Sequence, residues 1–162
     1  MRVTLLEDLV DPLMRRLLDG HLDAVISPWP TDMPEEAAGR LEHVVLHDVA
    51  LVVVCAAEHP LAGEAVVDWK QLQSGPWILP GPTSLVRRSV DNAFLNAGLV
   101  PPTILIESQN PYTNLQLVVK GMGLSAVPDT TLGSLETSLG IRLPLAKLNV
   151  RPNSAQGKIV VH

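Results

Sequence analysis

Cysteine is scarce in this sequence of 162 residues. There is a single one, Cys55, and the aromatic residues together make up only 3% of the chain. One cysteine excludes an internal disulfide. Because Cys55 stands in an apolar run, its thiol is predicted to be buried and inert rather than a nucleophile.

An excess of basic residues is also absent. The 12 Lys and Arg residues are outnumbered by 17 Asp and Glu residues, which gives a formal charge of −5 at pH 7. Proteins that grip DNA neutralise its phosphates with clustered Lys and Arg, so this chain alone is not expected to bind DNA. With 46% hydrophobic residues, the composition is typical of a folded chain rather than a disordered one.

Long apolar runs and a targeting segment are lacking as well. A membrane-spanning helix needs about 18 to 20 consecutive apolar residues, and every apolar run in this sequence is far shorter. Residues 1–8 do not contain the apolar core of a signal peptide. The sequence therefore predicts a cytoplasmic protein without membrane contact.

Catalytic and metal-binding motifs are missing too. The sequence has no Gly-x-Ser-x-Gly elbow, no cysteine pair at metal spacing, no phosphate loop with lysine and no carboxylate pair spaced for acid–base chemistry. His43 and His47 lie in a predicted strand, where four residues span roughly 13 Å, too far for one zinc ion. We therefore expect no enzyme activity, no catalytic residue, no metal site and no cofactor.

The stretch around which the chain is organised is residues 41–60. Val, Leu and other apolar residues dominate it without a helical stripe, so it predicts two strands. The second strand, residues 49–57, is apolar throughout and is expected to be buried on both faces of a sheet. Because strand and helix signals occur on both sides, this stretch is interpreted as the crossover between two lobes with a cleft beside it.

The predicted elements before this stretch begin and end at polar and glycine signals. Asp8 is a predicted N-cap, apolar residues follow at helical spacing, and Gly20 ends that helix. The predictions are a strand over residues 2–6, a helix over 9–18, a strand over 22–27, and a loop with one helical turn over 31–40.

The alternation of strands and helices repeats after the crossover, which favours an α/β fold over a sandwich. Asn110 is a predicted N-cap, with Pro111 at the first helical position. That helix should bury the apolar residues Tyr112, Leu115, Val118, Val119 and Met122, and it should end at Gly121 and Gly123. The other predictions are helices over residues 67–72 and 85–97, and strands over 77–80, 103–107, 124–128, 141–150 and 158–162.

Four segments together resemble the effector-binding domain of LysR-type transcriptional regulators. They follow the family's order over most of the chain. The segments are Leu18-x-Gly20-x-Leu22-Asp23-Ala24-Val25-Ile26, His59-Pro60-Leu61-Ala62, Trp77-Ile78-Leu79-Pro80 and Leu117-Val118-x-x-Gly121-x-Gly123-Leu124-Ser125-x-Val127-Pro128.

This resemblance implies a two-lobed fold similar to type 2 periplasmic binding proteins. A small-molecule effector would bind in the interlobe cleft, and the full-length regulator would form dimers or tetramers. Effector-binding lobe I is expected over residues 1–57, with residues 155–162 returning to it, and lobe II over residues 58–154. The family's helix-turn-helix domain, first strand and C-terminal helix have no counterpart here. We therefore expect an incomplete first lobe and DNA binding only through an N-terminal domain absent from this chain.

Two predicted helix starts are candidate effector sites. Gly81, Thr83 and Ser84 precede one helix, and Gln109 and Asn110 precede the other. Free N–H groups and the helix dipole at such positions favour an anion, so a small carboxylate is expected. The alternative is that Ser84 and Asn110 are ordinary helix caps. In the two-lobed fold, Ser27, Pro28 and Trp29 would face the same cleft, although Trp29 could equally cover the lobe edge.

Two other classes of function stay open at this stage. A solute-binding protein of a transport system has the same cleft, but it would need export. An enzyme would need a catalytic constellation that the sequence lacks. A helix-turn-helix reading frame fused upstream would support the regulator, and a signal peptide would support the transport protein.

Overall fold

Strands and helices alternate along the chain in the computed structural model, which describes residues 2–28, 34–139, 143–151 and 156–161. The elements are α1 (Val10–Leu18), β1 (Ile26–Pro28), α2 (Glu35–Ala38), β2 (Val44–Ala56), a 3₁₀ turn (Pro60–Gly63), β3 (Val67–Asp68), α3 (Trp69–Gln73), β4 (Trp77–Leu79), α4 (Leu85–Asn96), β5 (Ile104–Glu107), α5 (Pro111–Val119), β6 (Ser125–Pro128), α6 (Asp129–Leu139), β7 (Leu145–Leu148), β8 (Val150–Arg151) and β9 (Gln156–Val161).

The chain divides into two compact units. Unit 1 comprises Met1–Val49 and Gly157–His162, and unit 2 comprises Ala50–Gln156. The assignment of residues 1–57 with 155–162, and of residues 58–154, to two effector-binding lobes stays a prediction.

Unit 1 contains α1, β1, α2, β9 and the first part of β2. β1 and β9 pair antiparallel, with Ser27 opposite Val160, and β9 lies next to β2 in the strand order. β1 is shorter than the predicted strand over residues 22–27. The short helix α2 agrees with the helical turn expected within residues 31–40, of which residues 31–33 lie outside the described part of the chain.

Helix α1 ends at the predicted glycine, and its N-cap lies one residue after the predicted one. Gly20 has a φ angle of 74°, a left-handed conformation that favours glycine, so the predicted helix end is confirmed. The N-cap is Leu9 rather than Asp8. Asp8 lies one residue before this N-cap, and its carboxylate accepts a hydrogen bond from the Leu9 N–H at 2.8 Å.

The strand predicted over residues 2–6 is wrong. These residues have no regular secondary structure, and Val3 and Leu5 are 67% and 90% exposed. A strand is stable only when a neighbouring strand accepts and donates its ladder hydrogen bonds. None of the described strands pairs with residues 2–6, so their strand propensity alone does not order them.

The two strands predicted over residues 41–57 form the single strand β2. Its 13 residues include no glycine or proline that would interrupt the ladder. In its second part, Val53 pairs with Ala126 of β6 on one edge and with Leu148 of β7 on the other. Val53 lies in one core cluster and Val54 in another, so this part is buried on both faces as predicted.

Unit 2 is a mixed sheet with helices on both faces. β4 and β5 pair parallel, and β4 is joined to the start of β6 by a bridge between Trp77 and Leu124. The Ser125 hydroxyl donates to the Ile78 carbonyl at 2.7 Å and reinforces that junction. The described sheet therefore contains the β4–α4–β5–α5–β6 succession expected of an α/β fold.

Two hydrophobic clusters lie on opposite faces of this sheet. The first surrounds Phe94 of α4, whose ring meets Trp69 and Trp77 edge to face at centroid distances of 4.9 and 5.8 Å. The second contains Leu115 and Val118 of α5. Alternate residues of β2, β4 and β6 serve the two clusters, so both faces are covered.

The helices of unit 2 agree with the prediction in their main features and differ in detail. Tyr112 and Met122 are 43% and 41% exposed, because the buried face of α5 is limited to positions such as Leu115. Val67 pairs with Val150 in β8, so the segment predicted as a helix from residue 67 begins as a strand. Helix α6 was not predicted from the sequence.

Candidate ligand-binding site

The two loops predicted to bind an effector lie side by side in unit 2. β4 and β5 are parallel neighbours with Leu79 opposite Glu107, and the Ser108 N–H donates to the Leu79 carbonyl at 3.1 Å. The carboxyl ends of both strands therefore open at the same edge of the sheet. Residues 80–84 lead from this edge into α4, and residues 108–110 lead into α5.

The first loop is a tight turn with exposed donors. The Ser84 N–H donates to the Gly81 carbonyl at 3.0 Å, which closes the turn. Gly81 is buried and Thr83 is exposed. Ser84 is the N-cap of α4 by position, but its side chain makes no capping hydrogen bond. The hydroxyl is therefore not committed to the helix end, in contrast to the ordinary cap considered above.

The second loop is held by two asparagines. The Asn110 Oδ1 accepts from the Thr113 N–H at 3.1 Å, so Asn110 is a true side-chain cap of α5 and the cap interpretation holds for this residue. Asn114, which is 3% exposed, donates from Nδ2 to the Ser108 carbonyl at 3.0 Å. This bond ties the loop to the second turn of α5. Sequence reasoning missed Asn114, because it marked only the N-cap.

Gly81 is the point where the two loops meet. A Cβ atom at this position would lie 2.9 Å from Gln109 Nε2 and 3.0 Å from Glu107 Oε1. Both groups are the ends of flexible side chains, and they occupy the space that any larger residue at position 81 would need. Of the five residues predicted in these loops, the structure thus brings Gly81 and Gln109 into direct proximity.

Glu107 was absent from the predicted site. The sequence contained a signal for it, since a residue at the end of a parallel strand faces the same edge as the following loop. Glu107 is the last residue of β5 and so belongs to neither loop, yet its carboxylate lies against the backbone of the neighbouring loop at Gly81.

The electrostatics of the site contain two opposing contributions. Each helix N-terminus stabilises an adjacent anion by about 0.3–1 kcal/mol at an exposed position. A carboxylate about 4 Å from a second carboxylate is repelled by about 1 to 4 kcal/mol for effective dielectric constants between about 80 and 20. Glu107 can therefore cancel the attraction of both helix ends wherever it stands closest to the anion.

The residues predicted from the first half of the chain belong to unit 1. Ser27 is 4% exposed and lies in β1 opposite Val160, and Pro28 is opposite Ile159. Trp29 lies outside the described residues. The participation of Ser27, Pro28 and Trp29 in effector binding stays a prediction.

Other chemical groups give no second candidate site. Burial raises the pKa of the Cys55 thiol by desolvation, which keeps it protonated and unreactive in the strand. No group of three potential metal ligands occurs among the described residues. Within the same part of the chain, no helix has both the length and the apolar composition needed to cross a bilayer.

Comparison with known proteins identifies the family. The model of the LysR substrate binding domain matches residues 1–154. The chain belongs to this family. Its α/β fold is accordingly the type 2 periplasmic-binding-protein-like fold of LysR substrate-binding domains.

Relatives of known function or structure agree with this assignment. The HTH-type transcriptional regulator GalR of Pseudomonas putida KT2440 is 31% identical over 148 residues, which are 90% of this chain and 36% of GalR. The C-terminal domain of a probable LysR family regulator from Rhodococcus sp. RHA1 has a TM-score of 0.75 and 26% identity, covering 96% of this chain and 72% of that one. The regulatory domain of CcmR from Synechocystis PCC6803, determined in complex with 2-PG, has a TM-score of 0.78 and 23% identity, covering 94% and 69%.

The LysR substrate-binding domain described here spans about a third of the length of GalR. The matching family model belongs to LysR-type transcriptional regulators, and GalR is a transcriptional regulator. Both findings favour a regulatory domain over a solute-binding protein of a transport system.

Proposed function

We propose that this chain is the ligand-sensing domain of a LysR-type transcriptional regulator. A small effector binds at the loops 80–84 and 108–110 and controls DNA binding by a helix-turn-helix domain outside the chain. The domain acts in the cytoplasm and catalyses no reaction. The observation that carries this proposal is the match to the LysR substrate binding domain over residues 1–154, within which both loops lie.

A carboxylate is the proposed anchoring group of the effector. The N-termini of α4 and α5 leave backbone N–H groups beside the two loops, and these groups favour negative charge. Thr83 and Gln109 are exposed and add neutral donors. A ligand that carries only positive charge would be attracted by Glu107 but repelled by the positive N-terminal ends of both helix dipoles.

A thermal-shift screen tests the proposal. The 162-residue protein is heated with small aliphatic and aromatic carboxylates, and in parallel with amines of the same size. Ligands that bind only the folded state raise the melting temperature with concentration. A rise with carboxylates and none with amines supports the proposal, whereas a rise confined to amines would contradict it.

Thr83→Ala should weaken binding of a carboxylate found in that screen by about ten- to a hundredfold. A hydrogen bond to a charged group contributes about 1.5–3 kcal/mol, and Thr83 is exposed, so its removal should leave the fold intact. Titration calorimetry measures the affinity. Thr103→Ala is the matched control, because Thr103 is an exposed threonine just before the opposite end of β5.

An unchanged affinity in the Thr83→Ala protein would remove loop 80–84 from the site. Asn110→Ala is a poorer probe, since the Asn110 side chain caps α5 and its loss costs about 1 kcal/mol of stability as well.

We also propose that the protein is a homo-oligomer that associates through unit 1. This unit exposes large apolar side chains on the first part of β2, where Val44 is 63% and Leu46 is 54% exposed, and on β1, where Ile26 is 67% exposed. Val44 and Leu46 lie on the same face of their strand. Exposed apolar surfaces of this kind mark association sites.

Changing Val44 and Leu46 to lysine together should shift the protein from oligomer to monomer. Two charges would have to be desolvated in any interface that forms over this face. Sedimentation velocity over a range of micromolar concentrations measures the change. Leu105→Lys is the control, because Leu105 is 58% exposed on β5 of unit 2. A clean monomer for the unchanged protein at high micromolar concentration would refute the proposal.

A further inference from the structure

Glu107 is an acidic side chain at the meeting point of the two loops. Its Oε1 atom approaches the position of a Cβ at Gly81 to 3.0 Å, and Glu107 forms no hydrogen bond or ion pair with the residues that the structure describes. A carboxylate is an obligatory acceptor when ionised. Any ligand held at these loops therefore meets an acceptor that none of the described residues engages.

A donor stands beside this acceptor. Gln109 Nε2 lies 2.9 Å from the same Cβ position at Gly81, so the amide nitrogen of Gln109 and the carboxylate of Glu107 flank one glycine. The Asn114 bond to the Ser108 carbonyl holds the backbone between these two side chains. The pair offers a ligand one donor and one acceptor at neighbouring positions.

We infer, on the basis of the proposed effector-binding function, that the effector carries a hydroxyl or ammonium group next to its carboxylate, and that Glu107 selects for it. Gln109 and the helix N-termini bind the carboxylate, and Glu107 accepts a hydrogen bond from the neighbouring group. A carboxylate without that group makes no hydrogen bond to Glu107, which is exposed to water, and is repelled by it. The effector class is thus a hydroxycarboxylate or an amino acid rather than a simple carboxylate.

A structural role for Glu107 makes a different prediction. A negative charge close to the N-terminus of α5 stabilises that helix, so Glu107 could serve only the helix dipole. In that case, neutralising Glu107 would lower the melting temperature and weaken all ligands equally. A selective role instead changes the affinities of matched ligands in opposite directions.

Glu107→Gln separates these roles. Titration calorimetry on the 162-residue protein uses two matched sets of probes. The first set is propanoate, lactate and alanine, and the second is butanoate, 2-hydroxybutanoate and 2-aminobutanoate. The unchanged protein should prefer a hydroxyl- or amino-bearing member over the plain carboxylate by about tenfold or more. In Glu107→Gln, the plain carboxylate should bind more tightly, and the preference should fall to about threefold or less. Glu64→Gln, at an exposed glutamate outside these loops, should change neither value.

Each other outcome overturns the inference. If plain and substituted carboxylates bind the unchanged protein equally, Glu107 does not select between them. The proposed carboxylate site is then retained without this inference. If Glu107→Gln weakens all members equally and lowers the melting temperature, Glu107 serves only the helix. If no carboxylate binds the unchanged protein, the proposed anion site fails together with the inference.

Discussion

Phe94→Ala is expected to lower the free energy of unfolding by about 3–5 kcal/mol. Phe94 is fully buried, and its ring packs edge to face against Trp69 and Trp77. Truncation removes both ring contacts and leaves a cavity between α4 and the sheet that these rigid indoles cannot close. Urea denaturation followed by tryptophan fluorescence measures the loss, because Trp69 and Trp77 report directly on this cluster.

Leu95→Ala is the matched control for this change. Leu95 is the next residue in α4 and is 57% exposed, so its truncation should change the free energy of unfolding by no more than about 0.5 kcal/mol. Because α4 begins directly after loop 80–84, loss of the Phe94 anchor should also loosen the ligand site. Equal stabilities for the two variants would contradict the assignment of Phe94 to the centre of the core.

Gly123→Ala should destabilise the protein by about 1–3 kcal/mol, because the added methyl group meets backbone rather than a movable side chain. A Cβ at Gly123 would lie 2.6 Å from the Pro76 carbonyl oxygen. The same carbonyl accepts from the Leu124 N–H at 2.8 Å, so moving it away breaks the bond that joins β6 to the start of β4. Thermal and urea unfolding both measure the effect.

Gly133→Ala makes the same chemical change but is expected to raise the stability of the protein. Gly133 lies inside α6, and a Cβ there meets nothing within 4 Å. Alanine in a helix interior is more favourable than glycine by about 0.5–1 kcal/mol, so this variant should be more stable than the unchanged protein. If both substitutions shift stability in the same direction, the close approach at Gly123 is not what decides the outcome.

The sequence by itself determined the elements whose signals are local. The start of α5 at Asn110 and Pro111 and the turn at Gly20 depend on one or two residues and the backbone next to them. The strand around Val53 was identifiable because an unbroken apolar run is compatible only with burial on both faces. Four segments in the family's order also resembled the LysR effector-binding domain, and the family match over residues 1–154 confirms this resemblance.

Only the tertiary structure decided the features that need a partner distant in sequence. Residues 2–6 have strand propensity, but none of the described strands supplies their ladder hydrogen bonds. β2 continues through residues 47 and 48, where the sequence suggested two strands, because pairing rather than composition sets where a strand ends.

The ligand site shows the same division. Polar residues before α4 and α5 were readable as helix starts, and a parallel arrangement of the preceding strands was implied by the fold. The approach of Glu107 and Gln109 to Gly81 could not be predicted from the sequence, because it depends on the register in which β5 pairs with β4. A shift of one residue in that register would turn Glu107 to the other face of the sheet. Local chemistry therefore determined where the loops begin, and strand register decided which charge lies beside them.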